Sequence, residues 1–330
     1  MGKKLTSLTV RPYQLMCLAC RIGAGCTNDM KNDRLNEILK KIRANPALPV
    51  TLRCNVDSVY QYQNPGREDD TPGGELFNDK RDLDILQKLG LVPGATRPAL
   101  DILDRLFEVV TVTEGICGDP ASASAAWKGC PETKSGNYEK GRAQGVAAII
   151  APRSEKVKAR AKQKSVEAMY RADKLFIRPH HLMCMACFHG GRKKLAPIVE
   201  DNLFEAIDII QKNPEIPVEL VAGCCMICTP CFLYHPASNR CIGGRSMGLR
   251  DQKKDLDVLR KTGLRYGDVM PARKLYSILF DRIKVTTEIC GCGDGIERSP
   301  EWRICGGKEG HPGYVKARKK GLGIKRRDAH

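Results

Sequence analysis

Apolar residues follow a helical period in two distant stretches of the chain. Both stretches place apolar side chains at positions i, i+3, i+4 and i+7, which is the spacing of one buried helix face. The first set is Leu35, Ile38, Leu39 and Ile42, and the second is Leu203, Ala206, Ile207 and Ile210. Asn-Pro and Pro-Val pairs follow each set, so each helix is predicted to end there and to lead into a strand, at residues 50–52 and 218–221.

The elements around these helices are also predicted in pairs. A β-rich run, at residues 5–10 or 175–177, leads into an Arg-Pro-x-x-Leu-Met-Cys segment. After a variable loop come two more predicted helices, which in the first half carry Leu83 and Leu86, and then Leu103, Leu106, Phe107 and Val110. A cysteine-bearing segment closes each half. Two strands and three helices per half predict an α/β or α+β unit built on a small sheet.

Direct matches between the halves indicate an internal duplication. The offset between matched residues drifts only from 167, for Arg11 and Arg178, to 176, for Tyr138 and Tyr314. Further ordered matches join residues 45–50 to 213–218, 82–86 to 255–259, 116–118 to 289–291, and Trp127 and Cys130 to Trp302 and Cys305. We therefore predict a first repeat at residues 1–145, a basic helical linker at 146–173, a second repeat at 174–322 and a basic tail at 323–330.

Sixteen cysteines stand out in the composition. The sequence shows neither a signal peptide nor an apolar run long enough to span a membrane, so we expect a soluble cytoplasmic protein. Disulfides are rare in that compartment, which favours metal ligation by the clustered thiols.

Five cysteines recur at matched positions although the loops around them differ. They are Cys17, Cys20, Cys54, Cys117 and Cys130 in the first half, and Cys184, Cys187, Cys225, Cys290 and Cys305 in the second. Packing alone would not select cysteine five times, because valine or alanine fills the same space. Each half is therefore predicted to need thiols at these places.

The second half adds the cysteines Cys224, Cys228, Cys231, Cys241 and Cys292. The run from Cys225 to Cys231 reads C-x-x-C-x-x-C, a spacing that brings successive sulfurs to one iron–sulfur cluster, most typically [4Fe–4S]. Zinc is the alternative, with the C-x-x-C pairs at 17–20 and 184–187 joined by late cysteines. All of these cysteines except Cys224 are candidate metal ligands.

The second half resembles the DUF1284 family of small uncharacterised proteins. The resemblance rests on the RPHHLMC segment at 178–184, the ICTPC segment at 227–231 with Cys241, and the closing block from Ile289 through Trp302 to Cys305. It implies an iron–sulfur or other metal-binding protein and leaves the reaction open. The first half departs from this pattern, since Asp57 and Tyr60 stand where Cys228 and Cys231 do, and Cys241 has no counterpart.

Two pairs of residues before the first cysteines are candidates for other roles. His180 and His181 replace Tyr13 and Gln14, and either histidine could bind metal, donate to a cluster sulfur, move a proton or simply bond to nearby backbone. Arg11 and Arg178 could compensate an anionic cofactor or pair with a nearby acid. No catalytic residue beyond the two histidines is indicated.

The charge is strongly positive and uneven, with a net value of +17. Residues 152–174 hold eight Lys or Arg against three acids, and residues 314–330 hold seven against one. The leading hypothesis is an iron–sulfur redox or electron-transfer protein that docks an acidic redox partner, either as a reductase or as a subunit of a larger enzyme. The alternative is a nucleic-acid-binding protein with structural zinc or iron–sulfur sites.

Overall fold

The computed structural model describes residues 7–54, 75–118, 127, 129–150, 153–231, 233–236, 239–241 and 248–324. The chain divides into two compact units, Met1–Pro152 and Arg153–His330. Thirteen α-helices and two three-stranded sheets occur in these described residues, beside one small hairpin. The mixed α/β class predicted from the sequence is confirmed.

Unit 1 is built around a sheet of three short strands. Its elements are β1 (Leu8–Val10), α1 (Pro12–Gly23), α2 (Asp33–Ala44), β2 (Pro49–Leu52), α3 (Glu75–Leu89), β3 (Thr96–Pro98), α4 (Ala99–Val109), α5 (Asn137–Ala143) and α6 (Val146–Ile150). Strand β1 pairs in parallel with the central strand β2, with Val10 opposite Leu52, and β3 pairs antiparallel on the other side. The four predicted apolar residues of α2 are buried, and α2 packs on α1 and α6.

Unit 2 contains a sheet of the same strand order and pairing. Its elements are α7 (Glu155–Tyr170), β4 (Leu175–Ile177), α8 (Pro179–Gly191), α9 (Leu203–Lys212), β5 (Pro217–Leu220), β6 (Tyr234–His235), β7 (Arg240–Cys241), α10 (Leu249–Thr262), β8 (Val269–Pro271), α11 (Ala272–Arg282), α12 (Thr287–Cys290) and α13 (Pro312–Lys319). Strand β4 is parallel to β5, β8 is antiparallel to it, and β6 and β7 form the hairpin.

The third strand of each sheet was not predicted. Residues 96–98 and 269–271 are exposed or half-buried, and each strand ends at a proline. They carry no apolar alternation, so only their pairing with β2 and β5 makes them strands. The prediction of two strands and three helices per half is corrected, within the described residues, to three sheet strands in each unit, six helices in unit 1 and seven in unit 2.

Glycines allow the closing helix of each unit to lie directly against the cysteine-bearing helix. A Cβ on Gly141 of α5 would come 1.9 Å from the Ala19 carbonyl oxygen of α1. A Cβ on Gly313 of α13 would come 2.5 Å from the Cys187 carbonyl oxygen of α8. Because real Cβ atoms do not approach so closely, glycine is required for both helix contacts.

The predicted linker at residues 146–173 is divided between the two units. Val146, Ile149 and Ile150 of α6 are buried within unit 1. Helix α7 lies in unit 2, where Lys162 pairs with Glu205 at 2.7 Å and Met169 is fully buried. Of the predicted tail at 323–330, residues 325–330 lie outside the described part.

In the described ranges, no helix combines the length and apolar character needed to cross a membrane.

Candidate metal centres

The first pair of cysteines in each unit lies on one helix. Helix α1 carries Cys17 and Cys20, and helix α8 carries Cys184 and Cys187. Both helices begin with proline at their first position, which fixes the backbone and needs no N–H partner. Residues three apart lie on the same helix face, so each C-x-x-C pair directs two thiols to one side.

Two later cysteines of unit 2 join the pair on α8. Cys290 ends α12, and the Cys305 backbone N–H donates to the Cys290 carbonyl at 3.3 Å. Cys184, Cys187, Cys290 and Cys305 together line a cavity of about 310 Å³. We call these four residues the unit 2 cage.

Unit 1 contains the same arrangement. The Cys130 backbone N–H donates to the Cys117 carbonyl at 2.7 Å, and the Thr133 hydroxyl donates to the carbonyls of both cysteines, at 2.8 Å and 2.7 Å. Both late thiols lie close enough to Cys17 for their charges to interact. Cys17, Cys20, Cys117 and Cys130 are the unit 1 cage.

Loss of hydration dominates the electrostatics of the cage thiols. It raises the pKa of Cys17 to about 11 and that of Cys20 and Cys117 to about 12. In unit 2 it raises the pKa of Cys187 to about 12 and that of Cys184 further. These metal-free thiols are therefore protonated at neutral pH, and a bound metal would displace their protons.

Cys305 is the exception among the cage thiols. A hydrogen bond from the Cys290 thiol, together with the Lys254 ammonium, lowers the pKa of Cys305 to about 5 against the opposing effect of burial. The unit 2 cage thus holds one thiolate before any metal binds.

A buried cation lies beside each cage. The charge of Arg81 partly offsets the rise in the pKa of Cys17 and Cys117 in unit 1. The charge of Lys254 does the same for the raised pKa of Cys184 and Cys290 in unit 2. Their side chains are almost fully buried, with 1% of Arg81 and 5% of Lys254 exposed. The guanidinium of Arg81 lies 3.5 Å from the centre of the Tyr13 ring. The two cations occupy matched positions, one residue before Asp82 and Asp255.

Arg11 and Arg178, predicted to bind a cofactor or pair with an acid, both form buried ion pairs. The Arg11 Nε donates to Asp82 at 2.5 Å, and Arg178 donates through Nε at 3.0 Å and Nη2 at 2.6 Å to one oxygen of Asp255. Each aspartate also accepts a backbone N–H from the first turn of the helix, at 3.1 Å and 2.9 Å. Both arginines therefore fasten the start of the cysteine-bearing helix.

The two histidines have different surroundings. His180 is buried, and its Nδ1 lies 2.7 Å from Asp255. Burial lowers the pKa of His180 to about 4, so its imidazole is neutral at neutral pH. The Nδ1 of His181 instead lies 3.2 Å from the Cys225 sulfur and 3.9 Å from the Cys228 sulfur. The two sulfurs are 3.9 Å apart. We call His181, Cys225 and Cys228 the His–Cys site.

The loop that carries Cys225 and Cys228 is held by polar contacts from three directions. Asn202 is fully buried, and its side-chain amide donates to the Met226 carbonyl at 2.9 Å. The backbone N–H of Asn202 donates to the Ile227 carbonyl at 3.1 Å. The guanidinium of Arg153 donates to the Cys231 carbonyl at 3.0 Å. The Met226 N–H extends β4 by donating to the Phe176 carbonyl at 3.2 Å.

The remaining predicted ligands lie in other surroundings. Cys54 is fully buried at the end of β2, whereas its neighbours at 57 and 60 lie outside the described residues. The sulfur of Cys231 accepts the Leu233 N–H at 3.4 Å, and Cys241 lies on β7 within electrostatic range of Cys224. Cys292 directs its thiol to the Trp302 carbonyl at 2.9 Å.

Several residues of the sites were not predicted. Arg81 and Lys254 directly precede the Asp-Leu-Asp segments that match between the halves at residues 82 and 255. This repetition is the sequence feature that could have identified the two cations and the aspartates that follow them. Asn202 and Arg153 gave no signal, because a single asparagine or arginine in a loop is common. Comparisons of this chain with protein-family models, curated proteins and solved structures give no match.

Proposed function

We propose that this protein is an iron–sulfur redox protein in which each four-cysteine cage holds one cluster, most typically [4Fe–4S]. The observation that carries the proposal is the repetition of the cage. Each unit brings a helical C-x-x-C pair to two late cysteines, with a buried cation at the same position beside them. Two such cages in one chain are consistent with a tandem duplication of a metal-binding unit, as the DUF1284 resemblance implies.

The spacing of the thiols favours a cluster over zinc. One tetrahedral zinc ion would hold four thiolates about 3.8 Å apart, given Zn–S bonds of about 2.3 Å. Across the described residues, every group of three ligand atoms that lie mutually within 4.8 Å includes His181, so no three thiols of one cage are that close. A wider set of thiols around a 310 Å³ cavity suits a cofactor larger than one ion.

Ligation by four cysteines suits electron transfer. A cluster bound in this way has no open position for substrate and can accept and release an electron. Arg81 and Lys254 would offset the negative charge of the reduced cluster, which raises its reduction potential. No disulfide joins any of the sixteen cysteines, all of which lie in the described ranges, in keeping with a reducing compartment such as the cytoplasm.

An acidic redox partner suits the basic surface. Helix α7 and the end of α13 are both rich in basic residues, with Lys316, Arg318 and Lys319 in the last turn of α13. Docking through such charges would weaken as salt rises. Nucleic-acid binding stays a prediction, tested by a salt series with duplex and single-stranded probes.

Anaerobic purification with visible and electron-paramagnetic spectra, and with iron, sulfide and zinc analysis, tests the proposal. We expect a brown protein whose spectrum bleaches on reduction. The matched variants Cys117→Ser and Cys290→Ser should each remove about half of the iron and sulfide, because each opens one cage.

A colourless protein with zinc and no sulfide would overturn the proposal. Full iron and sulfide in both variants would show that the cages are not the sites.

A further inference from the structure

We propose that the His–Cys site of unit 2 is a second, separate metal centre that binds a single zinc ion through His181, Cys225 and Cys228, with Cys224 as the fourth ligand. This inference does not depend on the iron–sulfur proposal, since it uses none of the cage cysteines. It also divides the C-x-x-C-x-x-C run, because Cys225 and Cys228 take the ion while Cys231 does not.

The distances in the site match those around one tetrahedral ion. With Zn–S bonds of about 2.3 Å and Zn–N bonds of about 2.1 Å, a tetrahedron places two sulfurs about 3.8 Å apart and a sulfur and a nitrogen about 3.6 Å apart. The two sulfurs here are 3.9 Å apart, and the His181 nitrogen lies 3.2 Å and 3.9 Å from them. Three ligand atoms are thus arranged as three corners of such a tetrahedron.

Cys224 is the thiol that can complete the site once its side chain turns toward the ion. It lies within hydrogen-bonding reach of Cys228 and next to Cys225 in sequence, but its sulfur is not within 4.8 Å of all three other ligand atoms. The Cys225 backbone N–H points to the Cys228 sulfur at 3.4 Å, a contact that stabilises a thiolate. A set of three cysteines and one histidine is a common composition for closed zinc sites.

The site is held in place before any ion binds. His181 lies in the first turn of α8, which the buried pair of Arg178 and Asp255 fastens. The cysteine loop is fixed by Asn202 and Arg153. Preorganised ligands reduce the ordering that binding requires, which favours tight binding of a small ion.

The first unit supplies a natural comparison. Gln14 stands at the position of His181, and its side-chain oxygen accepts the Arg11 N–H at 2.9 Å. The variant His181→Gln therefore places in unit 2 a residue that the same helix turn already accepts in unit 1.

The test uses the full chain, purified anaerobically and reconstituted with iron and sulfide, then titrated with Co²⁺ and back-titrated with Zn²⁺. We expect one equivalent of Co²⁺ to give the visible bands of a tetrahedral ion with three thiolates and to be displaced by Zn²⁺. His181→Gln and Cys228→Ser should weaken this binding by more than the roughly 10–100-fold that the loss of an outer-shell partner costs. Cys224→Ser should reduce the sulfur-to-cobalt charge-transfer intensity from three thiolates to two.

Cys231→Ser and Cys290→Ser are the controls, and both should keep the Co²⁺ site. Loss of sulfide together with Co²⁺ binding in Cys228→Ser would overturn the proposal, because it would assign the loop to a cluster. Unchanged Co²⁺ binding in both His181→Gln and Cys228→Ser would also overturn it. A charge-transfer intensity unchanged in Cys224→Ser would remove Cys224 from the ligand set. If the cages bind Co²⁺ instead of clusters, the iron–sulfur proposal fails, yet His181→Gln still removes one equivalent.

Discussion

The two units have sheets of the same pairing, and the first turn of the helix after the first strand holds different residues in each. Each has the same sheet pairing, a buried arginine–aspartate pair and a four-cysteine cage. In each, a buried tyrosine of the closing helix donates to a backbone carbonyl, Tyr138 to Val110 at 2.8 Å and Tyr314 to Ile283 at 3.0 Å. These shared contacts therefore hold the elements that carry the four cage cysteines in each unit.

The differing turn holds Tyr13 and Gln14 in unit 1 and His180 and His181 in unit 2. Gln14 caps its helix by accepting the Arg11 N–H, whereas His181 faces two cysteines of a loop. The comparison teaches that one helix turn, held in each unit by a matched aspartate, can either close its own N-terminus or direct a ring nitrogen toward two cysteine sulfurs.

The largest expected effect comes from removing the buried aspartates. Asp255→Ala should lower the free energy of unfolding of unit 2 by about 3–5 kcal/mol, because Arg178 is left as an unpaired buried charge. Asp82→Ala should cost less in unit 1, since Arg11 also pairs with Asp79 at 3.2 Å. The measurement is urea unfolding followed by fluorescence in single-tryptophan chains, with Trp302→Phe to report on unit 1 and Trp127→Phe on unit 2.

Asp79→Ala is the control for this comparison and should have a smaller effect than Asp82→Ala. Equal losses for Asp82→Ala and Asp255→Ala would contradict the role given to Asp79.

Alanine at the helix-contact glycines should have the next largest effect. Gly141→Ala and Gly313→Ala should each destabilise their own unit by about 1–3 kcal/mol, because the added methyl group meets a backbone carbonyl. Each should also reduce metal content, since the closing helix follows the late cysteines of the cage. Gly25→Ala shows what backbone strain costs without crowding, because nothing lies within 4 Å of its Cβ position but its φ is +89°. Wild-type stability in Gly141→Ala would show that the helices can separate without cost.

Alkaline pH should destabilise both metal-free units, because each holds several buried thiols whose pKa is raised. Unfolded thiols ionise near pH 8.5, whereas burial raises the pKa of folded Cys17 to about 11 and of Cys117 to about 12. Between these values the folded state holds more protons than the unfolded state, so the free energy of unfolding falls as pH rises.

Cys305 in unit 2 has the opposite sign, because its pKa is lowered to about 5. Its contribution to stability grows only as the pH rises from about 5 to about 8.5, so it does not slow the alkaline loss. Urea unfolding of the two single-tryptophan chains at about pH 7, 8.5 and 10 follows each unit separately. A unit whose free energy of unfolding stays unchanged between the two higher pH values would contradict the prediction for that unit.

The smallest expected effect concerns the cations beside the cages. Lys254→Gln and Arg81→Gln should each lower the reduction potential of one cluster by an amount on the order of tens of millivolts, because a positive charge near the reduced cluster is lost. Redox titration followed by electron-paramagnetic resonance measures the shift. Lys274→Gln, on another helix of unit 2, is the control and should leave both potentials unchanged. A higher potential in either variant would show that the cation does not act through its charge.

Local sequence predicted three helices and two strands of each unit and the charged helix α7, but not helices α1 and α8, which carry the first cysteine pairs. The apolar residues of α2 recur with the helical period and therefore lie on one face of the helix, which is the face that is buried. The same logic directs the thiols of each C-x-x-C pair to one side of a helix. The repeated cysteines also predicted that each half needs thiols, which remains the basis of the proposed function.

Only the tertiary structure decided which cysteines meet. The C-x-x-C-x-x-C run favoured one cluster from the sequence, yet His181 lies with Cys225 and Cys228, across more than forty positions of chain. The cages likewise join helix α1 or α8 to cysteines about a hundred residues later, through contacts that no local spacing encodes. Sequence periodicity specifies faces of single elements, whereas the grouping of thiols depends on how those elements pack, and buried partners such as Asp82 and Asp255 fix that packing.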